Sequence, residues 1–354
     1  MKIALIHYKI GWKGGLETRL VNYAQTFLAM GHQVSIICAS IDSSVTLPHD
    51  VEIIQLKPGW VLKPYRPLAF DRKVRSFLSK ESFDFILSLG RTYSPHAVIV
   101  PANHIGYMRG MGIKKAHFKD RLDIRMDRKA YQDAKVILAA SEMMREELIA
   151  FYQVDPAKIH ILFPPLDTEV FHSGLRAERE KLRQGFGMDK GKTVFAFVST
   201  GHKRKGLPLL LEIFSQLKEE PYELLVAGSA KKLTESAPSN VRFIGFQKNP
   251  AALFTAADFT IHPALYEPFG QIISESLACG TPVLLSNMVG AKEIMSEKDG
   301  VVVHNFDPES WLETIRNLDR NQFAPTPEFV SKFALSKEDH VTRILQIWDK
   351  YGSI

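Results

Sequence analysis

Both halves of the chain alternate short apolar runs with amphipathic stretches, the pattern of parallel sheets wrapped by helices. In the first half the runs at residues 2–7, Val34–Ala39, Phe83–Leu89, Ala97–Pro101 and Val136–Ala140 predict strands. A helix is expected from about Leu16 to Met30, stopped by Gly31. Ser141 suits the N-cap of another helix through about Tyr152, with Glu142 favourably placed in its first turn. Pro48 to Phe70, rich in proline and aromatics, interrupts the alternation. The pattern resumes in the second half with strands expected at Val194–Ser199, Leu224–Ala227, Val241–Ile244, Asp258–His262 and Val283–Leu285. Pro208 fits the first turn of a helix whose core stripe is Leu210, Ile213, Phe214 and Leu217. The charged, Gly-containing segment 172–190 holds a boundary between domains, and a helical tail runs from about Lys337 to Tyr351.

A length of 354 residues fits two such domains, and 45% hydrophobic with 24% charged residues is ordinary for a globular chain. No run of 18 apolar residues is present, which excludes a spanning helix, and residues 1–6 read as the first strand and not as a leader. The two cysteines, Cys38 and Cys279, each stand in apolar surroundings. They fit buried thiols in a reducing compartment better than a disulfide or a metal site. A net charge of +6 favours anionic partners: phosphates, acidic lipid or nucleic acid. Composition does not choose among them.

The stretch His262–Leu285 carries the sharpest chemistry. It reads as strand end, loop, helix, tight turn and strand, with Glu267 in the loop and Glu275 on a helix opened by Phe269-Gly270. At about 1.5 Å rise per helical residue, the two carboxylates are at most roughly 12 Å apart along the axis. That span is comparable to the distance from ribose to hexose in a nucleotide sugar. Backbone N–H groups near Gly270 and Gln271 add donors and a positive dipole end. In isolation the two acids would equally suit a solvated helix face. A cationic feature, Lys203-Arg204-Lys205-Gly206, lies between a strand and a helix, where it suits a diphosphate. Gly14-Gly15 fills the turn after the first strand, but without the G-x-G-x-x-G spacing of dinucleotide binders. Asn103-His104 follows the carboxyl end of a strand, where open α/β sheets place ligands. Residues 109–129 hold eight Lys or Arg against three Asp, with Phe118, Leu122 and Met126 at helical spacing. Such a helix can rest on an anionic membrane surface or pack its stripe on its own domain.

EPFG-x4-E followed by ACGTPV, the Arg204-Lys205-Gly206 triplet and KGGLETRLVNYAQTFLAMGHQVSIIC together resemble the retaining GT-B glycosyltransferases of family 4. The resemblance covers nearly the whole chain, and within the family it is nearest to the bacterial lipopolysaccharide core glucosyltransferases. It implies an α/β GT-B fold, two Rossmann-like domains facing across a cleft. Residues 1–168 would bind the acceptor and 169–336 the nucleotide sugar, with 337–354 crossing back to the N-terminal domain. The activity implied is transfer of a hexose, glucose from UDP-glucose in the nearest relatives, to a glycan or lipopolysaccharide-core acceptor. Glu267, Lys205, Arg204 and His104 would be the catalytic set. Gly14, Gly15, Ile244, Phe269, Gly270, Gln271 and Glu275 would hold the donor, with Glu275 on the ribose hydroxyls and backbone near Ile244 at the base. No cofactor is implied and, without a D-x-D anywhere, no metal. No nucleic acid is expected as a partner. The expected location is cytoplasmic, peripheral on the inner face of the membrane through 109–129. Pro164-Pro165 departs from the Asn-Gly that many relatives have there. An epimerase of the same fold and a membrane-surface binding protein with a degenerate cleft remain alternatives.

Overall fold

Seven parallel strands in the order β3-β2-β1-β4-β5-β6-β7 form the first sheet: β1 Lys2–Ile6, β2 Gln33–Cys38, β3 Glu52–Gln55, β4 Phe85–Leu89, β5 Ala97–Val100, β6 Val136–Ala139 and β7 Ile159–Ile161. The computed structural model describes residues 1–11, 15–228 and 237–352. It divides into one unit of residues 1–165 with the segment from Lys337, and a second of Leu166–Ser336. Parallel strands covered on both faces have no polar side, so their sequences are continuously apolar. Ile3 and Leu5 of β1 pack with Leu20, Tyr23 and Phe27 of the helix Gly15–Ala29. Ala4 and Ile6 point the other way, onto Phe70 and Val74 of the helix Arg66–Leu78.

The helix Lys337–Gly352 belongs to this first core, where Val341, Ile344, Ile347 and Trp348 are buried beside β1 and β4. Trp348 stacks on His96 with ring centroids 4.4 Å apart and tilts against Phe85. Burial, with Lys135 nearby, pushes the His96 imidazole down to about 4.

In the second unit β8 Thr193–Val198, β9 Tyr222–Ala227, β10 Val241–Gly245, β11 Phe259–His262, β12 Val283–Ser286 and β13 Gly300–Val303 form a parallel sheet in the order β10-β9-β8-β11-β12-β13. Phe195 and Phe197 meet Leu207, Leu210, Ile213 and Phe214 on one face, while Val194 and Ala196 meet Leu253 and Ala256 on the other. In both sheets the order reverses beside the first strand. In the second, the reversal falls between β8 and β11, which pair Phe195 with Phe259. Ligands of open α/β sheets bind beyond the carboxyl ends of strands at such a point.

Most predicted elements appear within a residue or two of their expected ends. Pro48–Phe70 is an exception: it contains the edge strand β3 and the start of the helix Arg66–Leu78, with Pro67 in its first turn. The expected stripe of the helix Phe118–Asp133 also changes. Met126 is buried, but Phe118 is 59% exposed, and the buried face is completed by Asp127, Ala130 and Tyr131. Cys38 and Cys279 are free and buried, and burial raises both thiols, to about 11 and about 12. Among the described residues no helix is long and apolar enough to cross a membrane.

Candidate active site

The loops after β8 and β11 are locked together by glycine geometry. Gly206 sits at φ +86°, and a Cβ there would lie 2.0 Å from the Pro263 carbonyl oxygen. Only glycine allows this approach. It caps the helix Leu207–Gln216, with Pro208 in the first turn as expected. Leu265 N–H donates to the Arg204 carbonyl at 2.9 Å, and Arg204 Nη1 donates to the Tyr266 carbonyl at 2.7 Å. The two strand-end loops thus hold each other at the switch point.

Glu267 is fixed from a third direction. Its N–H donates to Met288 O at 3.0 Å, and Gly290 N–H donates to its carbonyl at 3.0 Å, in a bridge with Val289 from the loop after β12. Its Oε2 accepts from Arg204 Nη1 at 2.9 Å and lies 3.7 Å from Lys205 Nζ and 3.6 Å from His262 Nε2. Pro268 and Phe269 lead to Gly270, at φ +94°, ahead of the helix Gln271–Ala278. That helix begins one residue later than the sequence suggests, and no side chain caps its N-terminus. Phe269 is buried, and its carbonyl accepts from Ala291 N–H at 2.8 Å. Glu275 rides on the same helix, and Gly280 ends the turn beyond it at φ +75°.

Environment separates the two carboxylates. Burial alone would raise Glu267, but the contact with His262 and the charges of Lys205 and Arg204 outweigh it and hold Glu267 at about 2. His262 is fully buried, and burial keeps its pKa below the ordinary value, so the imidazole is neutral. Burial pushes Glu275 up to about 7, with only the charge of Lys205 drawing it down. Among the described residues none hydrogen-bonds the Glu275 carboxylate. Two cations, one firm anion and one carboxyl poised near neutral pH leave the group with surplus positive charge, able to take a diphosphate and to offer an acceptor to hydroxyls.

Arg204, Lys205, Glu267, Phe269, Gly270, Gln271 and Glu275 therefore belong to one neighbourhood. Ile244 lies in β10, and its carbonyl already accepts from Gln247 Nε2 at 2.9 Å. Gly14 lies outside the described residues, while Gly15 begins the first helix. His104, in the first unit, is engaged by its own domain: Nε2 lies 2.9 Å from Asp120 and Nδ1 3.5 Å from Arg91 Nη2. Around it Asp127, fully buried, accepts from Arg91 Nε at 2.6 Å, His104 N–H at 2.8 Å and Tyr152 Oη at 3.0 Å. Of this network the sequence points only to His104, and it does not point to His262. His262 could have been noticed as a polar residue ending an apolar strand five positions before Glu267.

The comparisons with known proteins accord with this architecture. The profile of Glycosyltransferase Family 4 matches residues 13–170, and that of Glycosyl transferases group 1 matches residues 178–334. A Burkholderia thailandensis protein named "Probable transglycosylase" is 32% identical over 290 residues, 82% of this chain and 78% of its own length. The crystal structure of WaaG, a glycosyltransferase involved in lipopolysaccharide biosynthesis, superposes with a TM-score of 0.76 over 96% of this chain and 95% of its own, at 21% identity. Anabaena HepE, crystallised with UDP and glucose, gives 0.74 over the whole of both chains at 18% identity. The fold is GT-B, and with family profiles covering both units and a relative alike over most of its length, this chain belongs to the group 1 glycosyltransferases.

Proposed function

We propose that the chain transfers a hexose, with UDP-glucose as donor, to a glycan or glycolipid acceptor, retaining the anomeric configuration and using no metal. The observation that carries this reading is the meeting of Arg204 and Lys205, from the loop after β8, with Glu267, whose own loop leads into the helix that carries the buried Glu275. Arg204 and Lys205 would neutralise the diphosphate as it leaves, which is stabilisation of charge where it develops. Glu275 would accept from the ribose hydroxyls, and Glu267 would face the hexose and its developing positive charge. The bond from the anomeric carbon to the diphosphate oxygen breaks as the acceptor oxygen bonds on the same face. The acceptor's proton passes to the departing phosphate. HepE crystallised with UDP and glucose supports the donor, and WaaG's role in lipopolysaccharide biosynthesis supports a lipopolysaccharide-core acceptor. The cations of 109–129 support a position on the inner face of an anionic membrane.

Product analysis with a panel of nucleotide sugars tests the reading, with and without acceptor, since an epimerase needs none. Lys205→Ala should lower turnover by roughly a hundredfold or more, the size of one lost preorganised charge contact. Unchanged turnover would remove the diphosphate from that loop.

A further inference from the structure

The first unit contains a cavity of about 940 Å³, within the size range of small-molecule sites. Lys9, Lys57, Lys63, Arg66 and Lys119 line it, against a single carboxylate, Asp123. Asp123 is already committed, 3.2 Å from Arg91 Nη1 and 3.8 Å from His104 Nδ1. Among the described residues none of the five cations lies within ion-pair distance of an acid. Protein surfaces normally intersperse the two signs, and a concave wall of one sign concentrates counter-ions. Trp60, fully exposed, and Phe118 stand on the same wall. Their rings offer apolar platforms beside the cations.

Five uncompensated cations ask for a multiply charged anion, and Arg with Lys suits phosphate. An aromatic face with polar neighbours suits the C–H face of a sugar ring. We infer that this cavity binds an acceptor saccharide that carries a phosphate group. The word acceptor rests on the glycosyl-transfer reading of the second unit; the ligand chemistry does not. The phosphate can reside on a soluble sugar or on a lipid-linked one, and the cations would treat the two alike.

The test titrates the full chain with glucose 6-phosphate, glucose, inorganic phosphate and phosphatidylglycerol vesicles, following heat and tryptophan fluorescence. UDP is titrated in parallel. Glucose 6-phosphate should bind, and the double variant Lys57→Glu, Lys63→Glu should weaken it at least about tenfold, as for lost charge-assisted contacts. The fluorescence change should vanish in Trp60→Phe. All these side chains are exposed, so the variants should melt as the wild type does, and their UDP affinity should be unchanged. Glucose 6-phosphate binding that persists while UDP gives no heat would support the cavity and overturn the donor site. The inference is overturned if glucose binds as well as its phosphate, or if inorganic phosphate alone binds as tightly. Insensitivity to the double charge reversal, or binding only to vesicles, would overturn it too.

Discussion

Glu275→Gln should make the protein more stable and a worse binder of UDP. Burial lifts the Glu275 carboxyl from 4.5 to about 7. At about 1.4 kcal/mol per pKa unit, keeping that carboxylate ionised in the folded state costs about 3 kcal/mol. The folded pKa is raised above the unfolded one, so the stability tied to this proton is complete below about pH 4.5. It is lost as pH rises through about 7. At about pH 8 the wild type bears the whole cost and the glutamine variant none, so the variant gains up to about 3 kcal/mol there. The gain should fade towards about pH 4.5, where both side chains are neutral. UDP affinity moves the other way. A carboxylate accepting ribose hydroxyls contributes about 1.5–3 kcal/mol, so the variant should bind roughly ten- to a hundredfold more weakly. Ionisation of the UDP terminal phosphate at about pH 6 acts on both proteins, so the wild type should gain UDP affinity more steeply than the variant as pH rises through about 7. Urea unfolding and UDP calorimetry across this pH range read both effects. A variant less stable than wild type at high pH, or one with unchanged UDP affinity, would refute the reasoning.

The two glycines of the site should differ in tolerance. Gly206→Ala drives a Cβ into a backbone carbonyl at 2.0 Å and should cost more than about 2 kcal/mol by urea unfolding. Gly270→Ala meets side-chain carbons only, of Val289, Glu267 and Ile273 at 3.0, 3.2 and 3.7 Å, so its cost should be mainly that of a positive φ, about 1–2 kcal/mol. Asp127→Ala removes the acceptor of Arg91 Nε, His104 N–H and Tyr152 Oη together and should destabilise the first unit by about 3 kcal/mol in the same assay, with UDP binding unaffected. Trp348→Ala empties the contact with His96 and Phe85 and should cost about 3–5 kcal/mol, read by thermal melting of the first unit.

The fold was legible because parallel strands buried on both faces announce themselves as unbroken apolar runs, from Ile3–Ile6 to Val283–Leu285. Caps were legible where one residue type does one job, as at Ser141, which accepts from Met144 N–H, and at Gly280. The strand β3 was not, since its four residues lie at a sheet edge with little burial to impose a pattern. Periodicity also misplaced the buried face of Phe118–Asp133. A stripe search counts apolar residues, but Asp127 is fully buried there because Arg91, 36 positions earlier, supplies its counter-charge. Nothing local to the helix records that partner. His262 was hidden for the same reason: its meaning lies in the distance to Glu267 and not in its spacing.

Arg204, Lys205, Glu267 and Glu275 could be picked out as separate suspects, yet their division of labour depends on burial and pairing that only three dimensions supply. The two glutamates are eight residues apart on one loop and helix, and an isolated peptide would titrate them alike. The contact with His262 and the charges of Lys205 and Arg204 keep Glu267 ionised across the physiological range, so it would hold the cations in place before substrate arrives. That spares reorganisation at the moment of reaction. Glu275, raised by burial and drawn down only by the charge of Lys205, titrates at about 7 and would become fully charged when hydroxyls or a rise in pH stabilise it. In the proposed reading a pair pulled that far apart would do two different things, one permanently electrostatic and one conditional on the donor. Two glutamates serving only as a solvated helix face would have no reason to differ by so much.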